Sequence, residues 1–388
     1  MRVKLKDIFD LQMGKTPSRS NLEYWNTTDY KWISIADLTK TSKYIFETKE
    51  YLSKSAIKDS GIKVIPANTV VMSFKLSIGK TAITKEDMYS NEAIMAFKDK
   101  HVINILPEYI FYLFKYKNWE EGSNKAVMGK NLNKATLSEI EVEICSIEKQ
   151  RQIVSILDKI MSSVDGRKQE LQLLDELIKA RFVEMFGDPV KNPKGWEVVT
   201  IGDIVTEVRY GTSKPAVEGG KYPYLRMNNL TADGHLDLND LKYIDIPDDE
   251  IEKCVVRKGD VLFNRTNSIE LVGKTVVFDL QEDMIIAGYI IRVRLNKRLL
   301  PEILSQYMNL EALKDILRSM AKGAVNQANI NAQELRSIKV YIPDMELQKQ
   351  FIEMKNQVDK SKFDTMTFAP IYDIINLYLH THFYQGRR

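Results

Sequence analysis

A chain of 388 residues has room for two or three domains, each large enough to bury its own hydrophobic core. The formal net charge of +3 is too small to argue for a nucleic-acid partner by itself. Its two cysteines, Cys145 and Cys254, exclude a disulfide framework and fit a reducing cytoplasm. No segment has roughly 18 uninterrupted apolar residues, so we expect a cytoplasmic protein that does not cross a membrane.

The segments before and after the middle of the chain carry the same motifs in the same order. The recurring motifs are Lys6-Asp7-Ile8 with Gly202-Asp203-Ile204, Gly79-Lys80-Thr81 with Gly273-Lys274-Thr275, and Asn131-Leu132-Asn133 with Asn329-Ile330-Asn331. Each copy then runs into a Glu-x-Gln-x-Gln sequence, which begins at Glu148 and at Glu346. Because chance does not preserve such an order, we interpret the chain as one domain written twice.

Short apolar or alternating runs fill each copy and are separated by Gly, Asn and Pro turns, which is typical of strands. A helix starting at a proline is expected near residues 107–119 and again near 301–321. The predicted fold class is therefore α+β, with two duplicated strand-rich domains separated by long antiparallel coiled-coil-like helices. The predicted boundaries are 1–145 and 187–342 for the domains, 146–186 for the central helix, and 343–388 for the C-terminal helix and a divergent tail.

Residues 146–186 contain no proline and one glycine, Gly166, and most of them are strong helix formers. Apolar residues recur there at three- and four-residue steps, as in a coiled-coil seam; they are Ile153, Leu157, Ile160, Val164, Leu171, Leu174 and Ile178. At about 1.5 Å per residue the helix measures roughly 60 Å. We expect it to act as a spacer, and a long core helix is the alternative.

The motifs reveal no catalytic constellation. The two Gly-Lys-Thr sequences lack the earlier glycine of a phosphate-binding loop, since Phe74 and Ser268 stand at that position. The Asn/Asp-Pro-Pro-aromatic element of an amino-group methyltransferase is missing, and the four histidines have no metal-binding spacing. A stand-alone nuclease or methyltransferase with a degenerate site stays open as an alternative, as does a duplicated protein-interaction scaffold.

Basic and amide residues in the loops indicate recognition of DNA. Arg, Asn and Gln read base edges through paired hydrogen bonds, and Lys mostly contacts phosphates. The candidates in the first copy are Lys15, Thr16, Arg19, Lys75, Lys80, Lys125, Lys130, Asn131 and Lys134. Those in the second are Arg209, Tyr210, Lys214, Arg226, Asn228, Asn264, Arg265, Asn267, Lys274, Asn326 and Gln327. Loops made polar for solubility alone are the plainer explanation.

This organisation resembles the specificity (S) subunit of type I restriction–modification enzymes over almost the whole chain. The most specific matches are Gly14-Lys-Thr-Pro17, Trp32-Ile-Ser34, Asp37-Leu38, the two Glu-x-Gln-x-Gln sequences and residues 178–188. The resemblance implies a non-catalytic subunit whose target-recognition domains each read one half of a split double-stranded DNA site, while the helices set the gap. It also implies that this chain binds no cofactor, and that S-adenosylmethionine, ATP and Mg belong to partner subunits.

The same resemblance implies that two methyltransferase (M) subunits dock along the helices and that nuclease/translocase (R) subunits join through the complex. The expected docking residues are Gln150, Ile153, Leu157, Ile160, Leu171, Leu174, Ile178, Gln348 and Phe351. The second helix departs from the pattern, because Phe368-Ala-Pro370 interrupts its seam. We therefore expect that helix to be shorter than the first or broken.

Overall fold

The computed structural model of the chain describes residues 1–75, 77–119, 132–324 and 327–366. These residues fall into two compact units, which we call domain 1 (Met1–Gly166) and domain 2 (residues 167–366). Both units combine helices with short strands, which confirms the predicted α+β class.

The first and last strands of domain 1 pair with each other. Its strands are β1 (Arg2–Lys4), β2 (Phe9–Met13), β3 (Tyr30–Ile33), β4 (Tyr44–Ile45), β5 (Glu50–Leu52), β6 (Val70–Ser73), β7 (Thr81–Thr84), β8 (Tyr89–Ser90), β9 (Ile94–Asp99) and β10 (Glu141–Glu143). Its short helices are α1 (Leu5–Ile8), α2 (Ile35–Lys40), α3 (Lys54–Ser60), α4 (Pro107–Tyr116) and α5 (Lys134–Ser138). Strand β1 pairs antiparallel with β10, so the domain closes where the chain leaves it.

Two further sheets form the body of domain 1, in the orders β2-β9-β6-β7-β4 and β5-β3-β8. Strands β6 and β7 are buried throughout, as short apolar runs between turns predict. Helix α4 starts at Pro107, where a missing N–H costs no hydrogen bond. The Phe114 ring on α4 lies 4.7 Å from the Phe97 ring on β9, which places the core between this helix and the sheet.

The central helix, α6, spans Ile147–Phe186 and confirms the predicted long helix. In its first half Ile153 and Leu157 are fully buried in the core of domain 1. In its second half Ile178 and Phe182 are buried in the core of domain 2. Burial of such side chains is worth about 1.5–3 kcal/mol each. Each half of the helix is therefore held by packing on its own domain.

Domain 2 repeats the plan of domain 1. Its strands are β11 (Glu197–Thr200), β12 (Val205–Tyr210), β13 (Tyr222–Leu225), β14 (Lys242–Ile244), β15 (Val255–Val256), β16 (Val261–Asn264), β17 (Thr266–Asn267), β18 (Thr275–Val277), β19 (Met284–Ile286), β20 (Ile290–Leu295), β21 (Lys322–Ala324), β22 (Gln327–Asn329) and β23 (Lys339–Ile342). Its helices after α6 are α7 (Ile201–Ile204), α8 (Asp248–Cys254), α9 (Pro301–Met308), α10 (Glu311–Met320), α11 (Ala332–Ser337) and α12 (Met345–Met366).

The sheets of domain 2 correspond to those of domain 1. The order β12-β20-β16-β18 matches β2-β9-β6-β7, and β14-β13-β19 matches β5-β3-β8. Strands β11 and β23 pair antiparallel and close the domain as β1 and β10 do. A small sheet, β17-β22-β21, lies beside these in domain 2.

The helix predicted over residues 301–321 is two helices, α9 and α10, so that prediction was wrong. Asn309 lies between them and pairs with the backbone of Thr275: its Nδ2 donates to the Thr275 carbonyl at 2.6 Å, and its Oδ1 accepts from the Thr275 N–H at 3.3 Å. Leu310 is then extended, with ψ of 143°, which ends the helical path. The hydrogen bonds from the Asn309 side chain to strand β18 therefore account for the break between α9 and α10.

Helix α12 runs antiparallel to the second half of α6 within domain 2. The ring of Phe351, near the start of α12, lies 5.2 Å from that of Phe182. Lys362, further along α12, pairs with Asp175, which comes earlier on α6. The predicted interruption at residues 368–370 lies outside the described residues. Among the helices of the described ranges, none combines the length and apolar character that crossing a bilayer requires.

Candidate nucleic-acid interface

Each domain has the same tight crossing after the first strand of its large sheet. Gly14 follows β2 and Gly211 follows β12. A Cβ atom at Gly14 would lie 2.2 Å from the Asn91 carbonyl oxygen, and one at Gly211 would lie 2.1 Å from the Ile286 carbonyl oxygen. Only glycine permits such an approach of two backbones. The loop that follows the glycine therefore starts at the equivalent position in each domain.

Matching hydrogen bonds extend this equivalence to the next loop. Phe74, directly after β6, donates its N–H to the Ala93 carbonyl at 3.0 Å. Arg265, directly after β16, donates its N–H to the Tyr289 carbonyl at 2.9 Å. Phe74 and Arg265 therefore occupy equivalent positions, and the same scaffold carries a buried apolar ring in domain 1 and a half-buried guanidinium in domain 2.

The twin Gly-Lys-Thr sequences are turns between strands. Gly79 and Gly273 have φ of +90° and +82°, the left-handed region that glycine adopts without strain. The hydroxyls of Thr81 and Thr275 donate back to the carbonyls of these glycines at 2.9 and 3.1 Å. The geometry explains the repeated motif by backbone conformation, without a phosphate ligand.

The lysines of these turns bond to the same region of their domains. Lys80 Nζ donates to the hydroxyl of Thr39 and is half-buried. Lys274 Nζ donates to the main-chain carbonyls of Met227 and Leu230. Lys274 is buried, and desolvation lowers the pKa of its ammonium group. This burial excludes Lys274, a predicted DNA contact, from the accessible surface.

Two predicted DNA contacts that follow Gly14 bond within domain 1. Lys15 is exposed, and its Nζ donates to the Ser60 carbonyl. The hydroxyl of Thr16 donates to the carboxylate of Glu92, and this bond lowers the pKa of that carboxyl group. Both side chains of the loop after Gly14 are thus engaged with other parts of domain 1.

Arg19 is engaged more strongly. Both of its terminal nitrogens donate to the carboxylate of Glu50, the second at 3.1 Å. Its guanidinium carbon also lies 3.7 Å from the centre of the Trp25 ring. A planar group that is already paired and stacked has few free donors for a base edge.

The remaining candidates of domain 1 lie on other loops. Lys75 is half-buried, with its Nζ 5.4 Å from the centre of the Phe74 ring. Lys134 is exposed at the first residue of α5. The three other candidates, Lys125, Lys130 and Asn131, lie outside the described residues.

Three basic candidates of domain 2 pair with carboxylates of the same domain. The pairs are Arg209–Glu207 at 3.0 Å, Lys214–Glu250 at 2.9 Å and Arg226–Asp240 at 2.7 Å. Exposed ion pairs of this kind stabilise by only about 0–1 kcal/mol. A phosphate could therefore replace the carboxylate partner at little cost.

Arg265 has a different environment. Its guanidinium carbon lies 4.9 Å from the centre of the Tyr210 ring, and the Tyr210 hydroxyl accepts from the Ala332 N–H at 2.8 Å. Its Nη1 donates to the Gly288 carbonyl at a long 3.4 Å. Within the described part of the chain, its Nε is buried without a hydrogen-bond partner and no carboxylate lies within ion-pair distance.

Two asparagines shape the loop that carries Arg265. Asn264 is fully buried, and its Nδ2 lies 3.4 Å from the carbonyls of Thr266 and Tyr289. Its Oδ1 accepts from the Nδ2 of Asn267 at 3.0 Å. This internal role excludes Asn264 from direct contact with DNA, although its sequence position suggested one.

The last candidates of domain 2 lie on turns and on the small sheet. Asn228 is exposed in a short 3-10 turn, Met227–Asn229. Gln327 begins strand β22, and its side chain lies outside the description. Asn326 is not among the described residues.

The first Glu-x-Gln-x-Gln sequence attaches α6 to domain 1. Gln150 is fully buried, and its Oε1 accepts from the Leu106 N–H at 2.9 Å. Its Nε2 donates to the carbonyls of Asn104 and Cys145, both at 3.0 Å. One side chain therefore satisfies three main-chain groups at the corner where the helix begins.

The second Glu-x-Gln-x-Gln sequence makes the same attachment in domain 2. Gln348 is fully buried, its Oε1 accepts from the Leu300 N–H at 2.9 Å, and its Nε2 donates to the carbonyls of Arg298 and Pro343 at 3.1 and 2.8 Å. The motif is thus an internal anchor of each helix, and sequence spacing alone could not separate this role from docking.

This burial contradicts much of the predicted docking set, because a buried side chain cannot contact another subunit. The excluded residues are Gln150, Ile153, Leu157, Ile178, Gln348 and Phe351. Ile160, Leu171 and Leu174 are half-buried. The large apolar residues of α6 that are exposed instead are Ile156, Leu173, Leu177 and Val183.

One group of metal-ligand types forms in domain 2, although the histidine spacing did not predict it. Ligand atoms of Asp175, Asp233 and His235 lie within 4.8 Å of one another. The adjoining cavity is also lined by Lys355 and Lys362, and Lys362 already pairs with Asp175. Two ammonium groups oppose a bound cation, so we assign no metal to this cluster.

Two copies of one strand-rich domain, each closed by paired strands and anchored to a helix by a buried glutamine, define a class of duplicated recognition proteins. Residues 1–176 and 193–369 match the family model of the type I restriction modification DNA specificity domain. The chain therefore belongs to this family.

Individual relatives agree. The chain is 29% identical over 250 residues to the type I restriction enzyme MjaIX specificity subunit of Methanocaldococcus jannaschii, with 58% of this chain and 57% of that protein covered. It is 25% identical over 259 residues to the type I restriction enzyme EcoKI specificity subunit of Escherichia coli, with 63% and 56% covered. The chain thus spans about half the length of these curated relatives.

A solved structure from work on complex assembly and conformational transition of the type I R-M system has the same fold. Its TM-score is 0.58 at 17% identity, with 98% of this chain and 97% of that chain covered. At this identity the likeness concerns the fold alone.

Proposed function

We propose that this chain is the DNA-recognition subunit of a type I restriction–modification complex and that each domain reads one half of a split duplex site. The supporting observation is one scaffold built twice, with different side chains at equivalent backbone positions: a core ring in domain 1 and a half-buried guanidinium in domain 2. The backbone at Gly14 and Gly211 is the same, whereas Phe74 and Arg265 differ. A pair of identical half-sequences would call for identical surfaces, so two different half-sequences fit better.

In this function the chain positions DNA and catalyses nothing. Methyl transfer from S-adenosylmethionine belongs to M subunits, and ATP- and Mg-dependent steps belong to R subunits. Such a complex acts on DNA in the cytoplasm. The contribution of this chain is to hold base-reading loops on rigid strands, which fixes their register on the duplex.

We further propose that an M subunit docks on an exposed face of α6. Leu173 and Leu177 lie one helical turn apart and are 56% and 43% exposed, while Ile178 beside them is buried in the domain. Adjacent exposed leucines on a helix suit a protein partner. Leu173→Glu with Leu177→Glu should abolish co-purification of the M subunit, and Lys179→Glu, an exposed neighbour, should not.

The recognition function is tested by incubating the full chain, together with its M subunit, with a pool of randomised duplexes and sequencing those retained. The expected result is one pattern of two fixed half-sequences separated by unread base pairs. Retention of a single contiguous sequence, or of no sequence, contradicts the proposal. Cleavage of DNA by the chain alone would favour the nuclease alternative.

A further inference from the structure

The side chain of Arg265 differs from those of the other candidate arginines. Arg209 and Arg226 each pair with a carboxylate of their own domain. Arg265 has no such partner within the described residues and is only half-buried. Its charge is therefore not neutralised by the domain.

The backbone of Arg265 is fixed on both sides. Its N–H donates to the Tyr289 carbonyl and its carbonyl accepts from the Ile330 N–H, both at 2.9 Å. The bond between Asn267 and the buried Asn264 holds the same loop from within. Because the main chain is fixed, less conformational entropy is lost when the Arg265 side chain binds a ligand.

The guanidinium is held on the Tyr210 ring, which is itself fixed by the bond from Ala332. Stacking on a ring occupies the flat face of the group and leaves its edge available. Tyr210 and Tyr289 are 43% and 49% exposed and Arg265 is half-buried, so the two terminal nitrogens, rather than the buried Nε, are the donors next to this open, aromatic surface. An edge of parallel N–H donors matches two acceptors in one plane, as on guanine O6 and N7.

We propose that Arg265 reads a guanine in the half-site bound by domain 2. The inference rests on the proposed function and names one of its base contacts. The equivalent position in domain 1 is Phe74, which is 1% exposed and belongs to the core. The contact is therefore confined to one half of the site.

A phosphate offers similar acceptor chemistry to a guanine. The substitutions Arg265→Lys and Arg265→Ala separate a guanine contact from a phosphate contact. Arg265→Lys keeps the charge and loses the planar fork, so a guanine contact is lost while a phosphate contact survives. The full chain with its M subunit is used to select duplexes from a randomised pool, after thermal melting has shown that the variant folds. Arg336→Ala, at an exposed arginine on α11, is the matched control for loss of charge.

The expected result for Arg265→Lys is that discrimination falls roughly 5- to 150-fold at one guanine, with the other positions of both halves unchanged. In a second measurement, that guanine is replaced by 7-deazaguanine, which lacks the N7 acceptor. The wild-type protein should bind the modified duplex more weakly, and Arg265→Ala should bind both duplexes alike.

Three results overturn the inference. Unchanged preference in Arg265→Lys excludes a guanine contact, and so does equal sensitivity of wild type and Arg265→Ala to 7-deazaguanine. In the third result, Arg265→Ala weakens binding to all sequences equally and lowers the slope of log K against log salt concentration by about 0.9 in magnitude. That result would assign Arg265 to a phosphate. A wild-type chain that selects no split site overturns the proposed function itself, which is a distinct outcome.

Discussion

In domain 1 the residue after strand β6 is Phe74, a core side chain, and in domain 2 the residue after β16 is Arg265, which faces an open surface on the ring of Tyr210. Their backbone hydrogen bonds are the same. Because a sheet ladder is made by main-chain groups, it tolerates exchange of the side chains it carries. The recognition surface can therefore change while the scaffold stays constant.

A second pair shows the same freedom inside the fold. Ala96 on β9 and Arg292 on β20 stand at equivalent positions, and both are fully buried. Arg292 donates to the carboxylate of Glu207 at 2.7 Å and to a main-chain carbonyl. Domain 2 therefore holds a buried charge, paired with a carboxylate, where domain 1 has a methyl group. The glycine crossings and glutamine anchors, in contrast, are identical.

The largest effect is expected at the glycine crossings. Gly14→Ala and Gly211→Ala each bring a Cβ within about 2 Å of a carbonyl oxygen, which should cost about 3 kcal/mol or more of unfolding free energy. Gly166→Ala, in the open interior of α6, should instead stabilise by about 1 kcal/mol. Calorimetry with domain-resolved hydrogen exchange measures both. Loss in only one domain would show that the crossings are not equivalent.

The glutamine anchors come next. Gln150→Leu and Gln348→Leu leave buried main-chain groups unpaired, at about 1–3 kcal/mol each, and each should loosen its own domain to a similar extent. Gln152→Leu, exposed in the same motif, should change stability by less than about 0.5 kcal/mol. Hydrogen exchange at the start of α6 and of α12 distinguishes the two sites. An equal effect of all three variants would argue against anchoring.

The paired turns should respond unequally. Lys274→Met removes two bonds to main-chain carbonyls from a buried ammonium and should cost about 1–3 kcal/mol. Lys80→Met removes one bond to an accessible hydroxyl and should cost less than about 0.5 kcal/mol. Denaturant unfolding of the full chain checks the difference. Equal costs would mean that the two turns are supported alike.

A pH dependence specific to domain 2 is expected as well. Burial lowers the pKa of Lys314 to about 8, and a lysine in an unfolded chain titrates near about 10.4. Between these values the unfolded chain binds more protons, so this residue makes the unfolding free energy rise with pH. Relative to Lys314→Met, the wild-type protein should gain stability from pH 8 to 10. A constant difference would contradict the lowered pKa.

Sequence patterns were sufficient for the duplication, the strand-rich domains and the length of α6, because each depends on local spacing. They do not tell what covers a helix face, so they predict Ile153 and Gln150 as partner contacts, whereas both side chains pack on their own domain. The break at Asn309 and the burial of Asn264 depend on bonds to distant strands. Arg265 was a candidate by residue type, but only the fold distinguishes it from Arg209 and Arg226.

Each domain has its first and last strands side by side, with Val3 opposite Val142 and Val199 opposite Val340. The chain therefore enters and leaves such a domain at neighbouring points, next to the glutamine that anchors the following helix. A gene segment that encodes one domain can therefore be exchanged at a single place in the chain, provided that the new domain accepts the helix residues that pack in its core. Under the proposed function, such an exchange changes one half of the target in one step, without the gradual loss of stability that accumulates from single substitutions.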